Sequence, residues 1–147
     1  MKYVDKILVE TDFLFGLRKS DKLNKYVMKL LQLHRRGEFK ILISSPSFLE
    51  VALVLLSRGF KPVQASRVLE LMKLKLQEYR VRDYVSLTPE VVIQALFFKN
   101  KYNITFFDSL HLSGAKVNNL TLVTRDKTLL RVAEQEKVKN LPLTSFL

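Results

Sequence analysis

Cysteine is absent from the chain, which excludes a disulfide framework and thiolate metal sites and fits a reducing compartment. Only 4 glycines and 4 prolines are present, so loops should be short and regular structure extensive. No long hydrophobic run exists either. The strongest, Phe48–Leu56, falls far short of the roughly 20 residues a membrane-spanning helix needs. Met1-Lys2 leads directly into a strand-like segment, without a stretch resembling a signal peptide. These absences predict a protein of the cytoplasm with no membrane contact. Acidic residues are scarce as well: 14 Asp and Glu face 25 Lys and Arg, a net charge of +11. The sequence pI is close to 10.0. Such an excess favours nucleic acid or another polyanion as partner, through counterion release. A generally basic surface without a specific partner is the plainer explanation of the same number.

What is present is an ordinary globular balance, with 48% hydrophobic and 27% charged residues in 147. That length suits one domain spanning residues 1–147. Tyr3–Val9 reads as a buried strand, and Ser20-Asp21 opens a helix with Leu23, Val27, Leu30 and Leu31 at helical spacing, ended by Gly37. Lys40–Ser44 is a short strand, and Ser45-Pro46-Ser47 starts an apolar helix stopped by Gly59. A helix from Pro62 to Glu78 and a strand over Val81–Leu87 follow, then a helix from Thr88-Pro89-Glu90 to about Tyr102. Ile104–Phe107 fits no single element. Asp108–Lys116 reads as helix, Leu120–Thr124 as strand and Thr128–Glu136 as a last helix before Leu141–Leu143. Strands that are continuous apolar runs, alternating with helices, predict a parallel sheet covered on both faces.

Carboxylates interrupt apolar sequence at four places. Glu10 and Asp12 follow the first strand, Glu50 lies in SFLEVALVLL, Asp108 follows ITFF, and Asp126 lies in LTLVTRDKTLL. Each falls near the carboxyl end of a strand, where open α/β sheets gather their functional groups. If the chain stays extended through Glu10-Thr11-Asp12, both acids point the same way. Each position also has a plain explanation. Asp126 can cap a helix, Thr105 and Asp108 can form a capping box, Glu50 can answer a helix dipole, and Glu10 to Asp12 can be a turn. Together those explanations require four coincidences, whereas a shared hard cation, Mg²⁺ or Mn²⁺, requires none. Such an ion can activate a water and steady a departing phosphodiester oxygen. With the five acids set aside, 25 basic residues face 9 acidic ones. An acidic pit in a basic surface suits cutting nucleic acid.

The order of these pieces resembles the PIN domain family, whose small members include VapC-type toxins of toxin–antitoxin pairs. LVTRDKTLL and ITFFDSLHLSGA carry the resemblance best, SFLEVALVLL less, and it covers essentially the whole chain. The resemblance implies a three-layer α/β/α sandwich with a mostly parallel sheet, and Mg²⁺- or Mn²⁺-dependent endoribonuclease activity on RNA. It implies metal-binding and catalytic roles for Glu50, Asp108 and Asp126, with Thr11 and Thr124 in support. The Leu, Val and Phe faces of the helices are most simply core, and an exposed remainder would pair two copies as a homodimer or accept an antitoxin segment. The family's first motif is usually Asp-Thr/Ser-Asn/Ser. Glu10-Thr11-Asp12 stands there instead, and Asp12 is expected as the principal ligand, its short arm holding an ion more rigidly, with Glu10 beside it.

Arg125 and Lys127 flank Asp126 and are placed to meet RNA phosphates, although surface solvation explains them equally. His111, one turn past Asp108, either reaches substrate or simply fills the core, the commoner use of histidine. Three other functions compete with the toxin reading. One is a phosphatase with an acid-x-acid motif, which needs an Asp where Glu10 stands. Another is a non-cleaving RNA-binding or assembly module, and the last an RNA-processing nuclease outside toxin–antitoxin systems.

Overall fold

A computed structural model of the protein describes residues 4–147. Its elements run β1 (Asp5–Val9), α1 (Thr11–Phe15), α2 (Asn24–Arg35), β2 (Phe39–Ser44), α3 (Pro46–Ser57) and α4 (Pro62–Glu78). Then come β3 (Asp83–Val85), α5 (Pro89–Lys101), α6 (Phe106–Val117), β4 (Thr121–Thr124), α7 (Lys127–Gln135) and β5 (Asn140–Pro142). The strands lie in the order β3-β2-β1-β4-β5, every neighbouring pair parallel. The α/β class expected from the sequence is therefore the observed one.

Alternation along each strand divides the core into two layers. Ile7 and Val9 of β1, Ile41 and Ile43 of β2 and Val123 of β4 face one side. They pack with Val27, Leu30 and Leu31 of α2, Val51 and Leu55 of α3 and Leu76 of α4. Leu8, Val85 and Leu122 face the other, against Phe98 of α5, Leu112 and Ala115 of α6, and Leu129, Val132 and Ala133 of α7. All of these are buried, so β1, with neighbours on both edges and helices on both faces, is the centre of the fold. Residues 8 and 9 thus serve different layers, which is why the strand reads as an unbroken apolar run.

Several boundaries differ from the sequence reading. Tyr3 lies outside the described residues, so the expected start of the first strand does too. Asp21 does not begin a helix: its Oδ1 accepts the Leu23 N–H at 2.8 Å, turning the chain ahead of α2. Gly37 does stop the α2 region, at φ 78°. The expected strand over Val81–Leu87 shrinks to Asp83–Val85, because the Val81 N–H is spent on Leu76 O at 2.9 Å, closing the end of α4. Thr105 resolves the ambiguous stretch by accepting the Asp108 N–H at 3.1 Å, so Phe106 and Phe107 are already helical. The unforeseen element is α1, five residues long. It fits because Gly16 allows close approach to α2: a Cβ there would stand 2.5 Å from Val27 Cγ2. Among the described residues, no helix is long and apolar enough to cross a membrane.

Candidate acidic active site

In an all-parallel sheet every strand ends on the same edge, and every helix that follows a strand begins there. Thr11 and Asp12 open α1 after β1, Glu50 lies one turn into α3 after β2, and Asp126 precedes α7 after β4. Asp108 arrives by another route. It lies in the first turn of α6, which must run back along the sheet to feed β4, so its N-terminus returns to the strand-end edge. Strand order reverses around β1: β2 lies on one side and β4 on the other. That reversal is where open α/β sheets form their crevices.

The side chains interlock. Thr11 Oγ1 donates to Glu50 Oε1 across 39 residues of chain. His111 Nε2 is 3.1 Å from the same oxygen, and Ser44 Oγ is 2.7 Å from His111 Nδ1. Thr124 Oγ1 accepts the Asp126 N–H at 3.2 Å and stands 3.5 Å from Glu10 Oε1. Arg125 Nε donates to Asp12 Oδ2 at 3.2 Å. Glu10 feels the fields of Asp12, Asp108 and Glu50, Asp12 those of Glu50 and Asp126, and Asp108 those of Asp126 and Glu50. Lys127 sits exposed at the first position of α7.

The extended geometry expected for Glu10-Thr11-Asp12 does not occur. Glu10 is extended, at φ −129° and ψ −163°, but Thr11 and Asp12 are helical. Glu10 is the N-cap of α1, its Oε1 accepting the Asp12 N–H at 3.3 Å. The two acids meet because one caps the helix that carries the other. Asp126 likewise caps α7, accepting the Leu129 N–H at 3.0 Å. Capping and membership of the acidic group are thus compatible in one carboxylate.

Ionisation in this group is costly. Burial first, then the fields of Asp12 and Asp108, push the Glu10 carboxyl well above the ordinary range. Burial raises Asp12 too, Arg125 offsets part of the rise, and Glu50 and Asp126 add to it. Asp108 is raised by burial, with His111 opposing and Asp126 and Glu50 reinforcing. Glu50 goes the other way. Burial disfavours its charge, but hydrogen bonds from His111 and Thr11 outweigh burial and hold it below the usual range.

Crowded carboxylates with raised pKa values, all hard oxygen donors, are the surroundings in which a divalent ion lowers the energy. Among the described residues, no three Asp, Glu or His side chains stand close enough to hold a metal ion at once. A closed protein cage is therefore not what is built. Mg²⁺ binds through one or two carboxylates plus waters and substrate phosphate, and for that mode the donor set fits.

Sequence reasoning passed over Ser44, which is 1% exposed and anchors the His111 ring. The available signal was a serine closing the strand KILIS, where an aliphatic residue would pack. His111 was left between substrate contact and core filling. It is fully buried, yet it is joined to one of the acids, so neither alternative describes it.

A family model described as PIN domain matches residues 7–135. Comparison with curated proteins finds no match. Among solved structures, the chain is similar to PAE2754 from Pyrobaculum aerophilum at 21% identity and a TM-score of 0.62, covering 97% of this chain and 94% of that one. VapBC2 from Rickettsia felis, bound to a DNA fragment from its promoter, is 18% identical with a TM-score of 0.62, covering 93% and 98%. Mycobacterium tuberculosis VapC20, described as a sarcin-ricin loop cleaving toxin, is 15% identical with a TM-score of 0.56, covering 79% and 86%.

Proposed function

We propose that this chain, which belongs to the PIN domain family, is a metal-dependent endoribonuclease and the toxin of a toxin–antitoxin pair. What supports this reading is that the four chain segments carrying these five carboxylates all reach the strand-end edge of one parallel sheet, in a protein with net charge +11. Residues 1–147 are read as one domain working in the cytoplasm.

In this reading Asp12, Glu50, Asp108 and Asp126 would hold one or two Mg²⁺ or Mn²⁺ ions, with no more than two carboxylates on an ion and waters and substrate phosphate completing its shell. When bound, the metal supplies Lewis acidity toward a water and charge neutralisation at the scissile phosphodiester. Asp12 rather than Glu10 is the principal ligand of the first motif. It is 28% exposed at the side chain, whereas Glu10 is buried and occupied with its cap and with Thr124. Thr11 orients Glu50, and Thr124 fixes the turn that carries Asp126. Arg125 and Lys127, beside the acids, bind the phosphates of the RNA strand.

Three surfaces support the partners. A cleft of about 580 Å³ between α1, the α3–α4 turn and α4 is lined by Leu14, Phe60, Leu71 and Met72 and rimmed by Arg58 and Lys75. An amphipathic acidic segment of an antitoxin suits that chemistry. Leu49, Leu53 and Leu56 form an exposed ridge on α3, and Ile93, Leu96 and Phe97 another on α5. These favour a homodimer.

The test is digestion of labelled RNAs, a sarcin-ricin loop fragment among them because one structural relative is described as cleaving it. Purified protein should cleave with Mn²⁺ or Mg²⁺ and stop with chelator. Asp108→Asn should lose roughly 10³-fold in rate, the scale of removing a positioned proton-transfer or ligand group, while remaining folded. Undiminished cleavage by that variant would remove Asp108 from the site. Binding without cleavage would favour the non-cleaving module, and cleavage without any antitoxin partner the RNA-processing enzyme.

A further inference from the structure

We propose that Ser44 and His111 form a positioning relay that fixes the Glu50 carboxylate at the acidic edge. This role deepens the nuclease reading and rests on it for its place in the reaction.

The relay joins four elements. Ser44 ends β2, His111 lies in α6, Glu50 in α3 and Thr11 in α1. Ser44 Oγ to His111 Nδ1 is 2.7 Å, and His111 Nε2 to Glu50 Oε1 is 3.1 Å. Thr11 Oγ1 also donates to that carboxylate oxygen and lies 3.4 Å from the imidazole Nε2. The chain's other histidine, the half-buried His34, ends its hydrogen bonds on backbone, at Arg80 O and the Ile41 N–H. His111 ends on a carboxylate that is 25% exposed and faces the other acids.

Chemistry orders the chain. An ionised carboxylate can only accept, so His111 Nε2 must carry the proton that points at Glu50. In the neutral ring Nδ1 is then an acceptor, and the Ser44 hydroxyl donates to it. The ring cannot rotate without breaking both contacts, and at 0% exposure it has no water to replace them. Glu50 is one turn into a helix and would otherwise sample several rotamers. Two fixed donors, from α1 and α6, leave it one. His111 is also three residues past Asp108, so the helix that presents Asp108 is tied to Glu50 directly. His111 is thus a positioning residue that never meets the substrate. A carboxylate held this way keeps its aim when RNA and metal arrive, as outer-shell partners do for metal ligands.

The experiment has an arm that needs no activity. The chain contains 2 histidines, so long-range ¹H–¹⁵N spectra of the full-length protein give two imidazole patterns. His111→Gln identifies the pattern of His111. A proton on Nε2 is expected in the wild type, and a ring protonated only on Nδ1 overturns the proposal. In the kinetic arm, Ser44→Ala, which touches no substrate, should lower kcat and raise the Mn²⁺ midpoint by about 10-fold each, with the KM for RNA unchanged. His111→Gln keeps an N–H donor near the Nε2 position and should retain more activity than His111→Leu. Wild-type kcat and Mn²⁺ midpoint in both Ser44→Ala and His111→Leu overturn the proposal. If His111→Leu fails to fold, Ser44→Ala and the spectrum decide it. If the wild type cleaves no RNA with any metal, the nuclease reading falls alone, and the imidazole spectrum still decides whether the ring holds Glu50.

Discussion

Two groups of carboxylates in this protein are treated in opposite ways. Glu136, at the end of α7, receives Tyr102 Oη, Lys101 Nζ at 3.0 Å and Lys116 Nζ at 3.1 Å. The Tyr102 hydrogen bond, opposed by burial and helped by both lysines, lowers its pKa to about 2. At the strand-end edge, Glu10, Asp12 and Asp108 are pushed upward instead, first by burial and then, in each case, by neighbouring acids. Only Asp12 has a cationic side chain in contact, Arg125, among the described residues. Glu136 is surrounded by donors, whereas Glu10, Asp12 and Asp108 are left short of them; Glu50, held by Thr11 and His111, is the exception at that edge. The difference separates a stabilising site from a site that costs stability until something binds.

Four outcomes would sharpen or break that contrast. The largest expected effect is divalent stabilisation. Mn²⁺ at about 100 times its Kd should raise stability by about 2.7 kcal/mol, or roughly 8 °C in Tm, relative to chelator. Scanning calorimetry checks it, and an unchanged Tm would break the contrast outright. Next is Glu136→Gln, which should cost about 1 kcal/mol after the exposure of Lys101 and Lys116 is discounted, without altering RNA cleavage by the folded protein. Glu10→Gln should act in the reverse direction, raising Tm in chelator by about 3 °C while weakening the Mn²⁺ response. A Glu10→Gln protein less stable than wild type would show that its cap contact outweighs the repulsion.

The smallest effect is in pH dependence, where the two sites have opposite signs. The Glu136 pKa is depressed on folding, so its contribution is complete above about 4.5 and is lost as pH falls toward about 2. Glu10 is raised from 4.5, so the folded state binds more protons than the unfolded one as pH climbs above that value, and stability falls. Metal-free wild type should therefore lose stability on both sides of a maximum in weak acid. Glu136→Gln should flatten the acid limb and Glu10→Gln the other. Urea titrations across pH separate the two limbs, and identical changes in both variants would refute the assignment.

Much of this arrangement was legible in the residues. The apolar runs within Tyr3–Val9, Lys40–Ser44 and Leu120–Thr124 marked a sheet buried on both faces, since a one-sided strand would alternate. Caps were legible too: Thr88, Thr105 and Asp126 each accept the backbone N–H three residues on. The α1 turn was not, because five residues carry too little periodicity to distinguish a helix from a strand end. Val81 was misassigned for a related reason. Its β-branched side chain is buried as a strand residue would be, but its N–H was already committed to closing α4.

Local patterns along the chain are enough to decide element type, two-faced burial, basic character and the presence of acids where strands should stop. These depend on side-chain periodicity and on counts, which survive without knowledge of neighbours. Tertiary structure alone decided that α6 returns Asp108 to the strand ends, and that Ser44, His111 and Glu50 form one chain of contacts. Those relations span up to 67 residues between direct partners, and no local pattern encodes a distance across folded space.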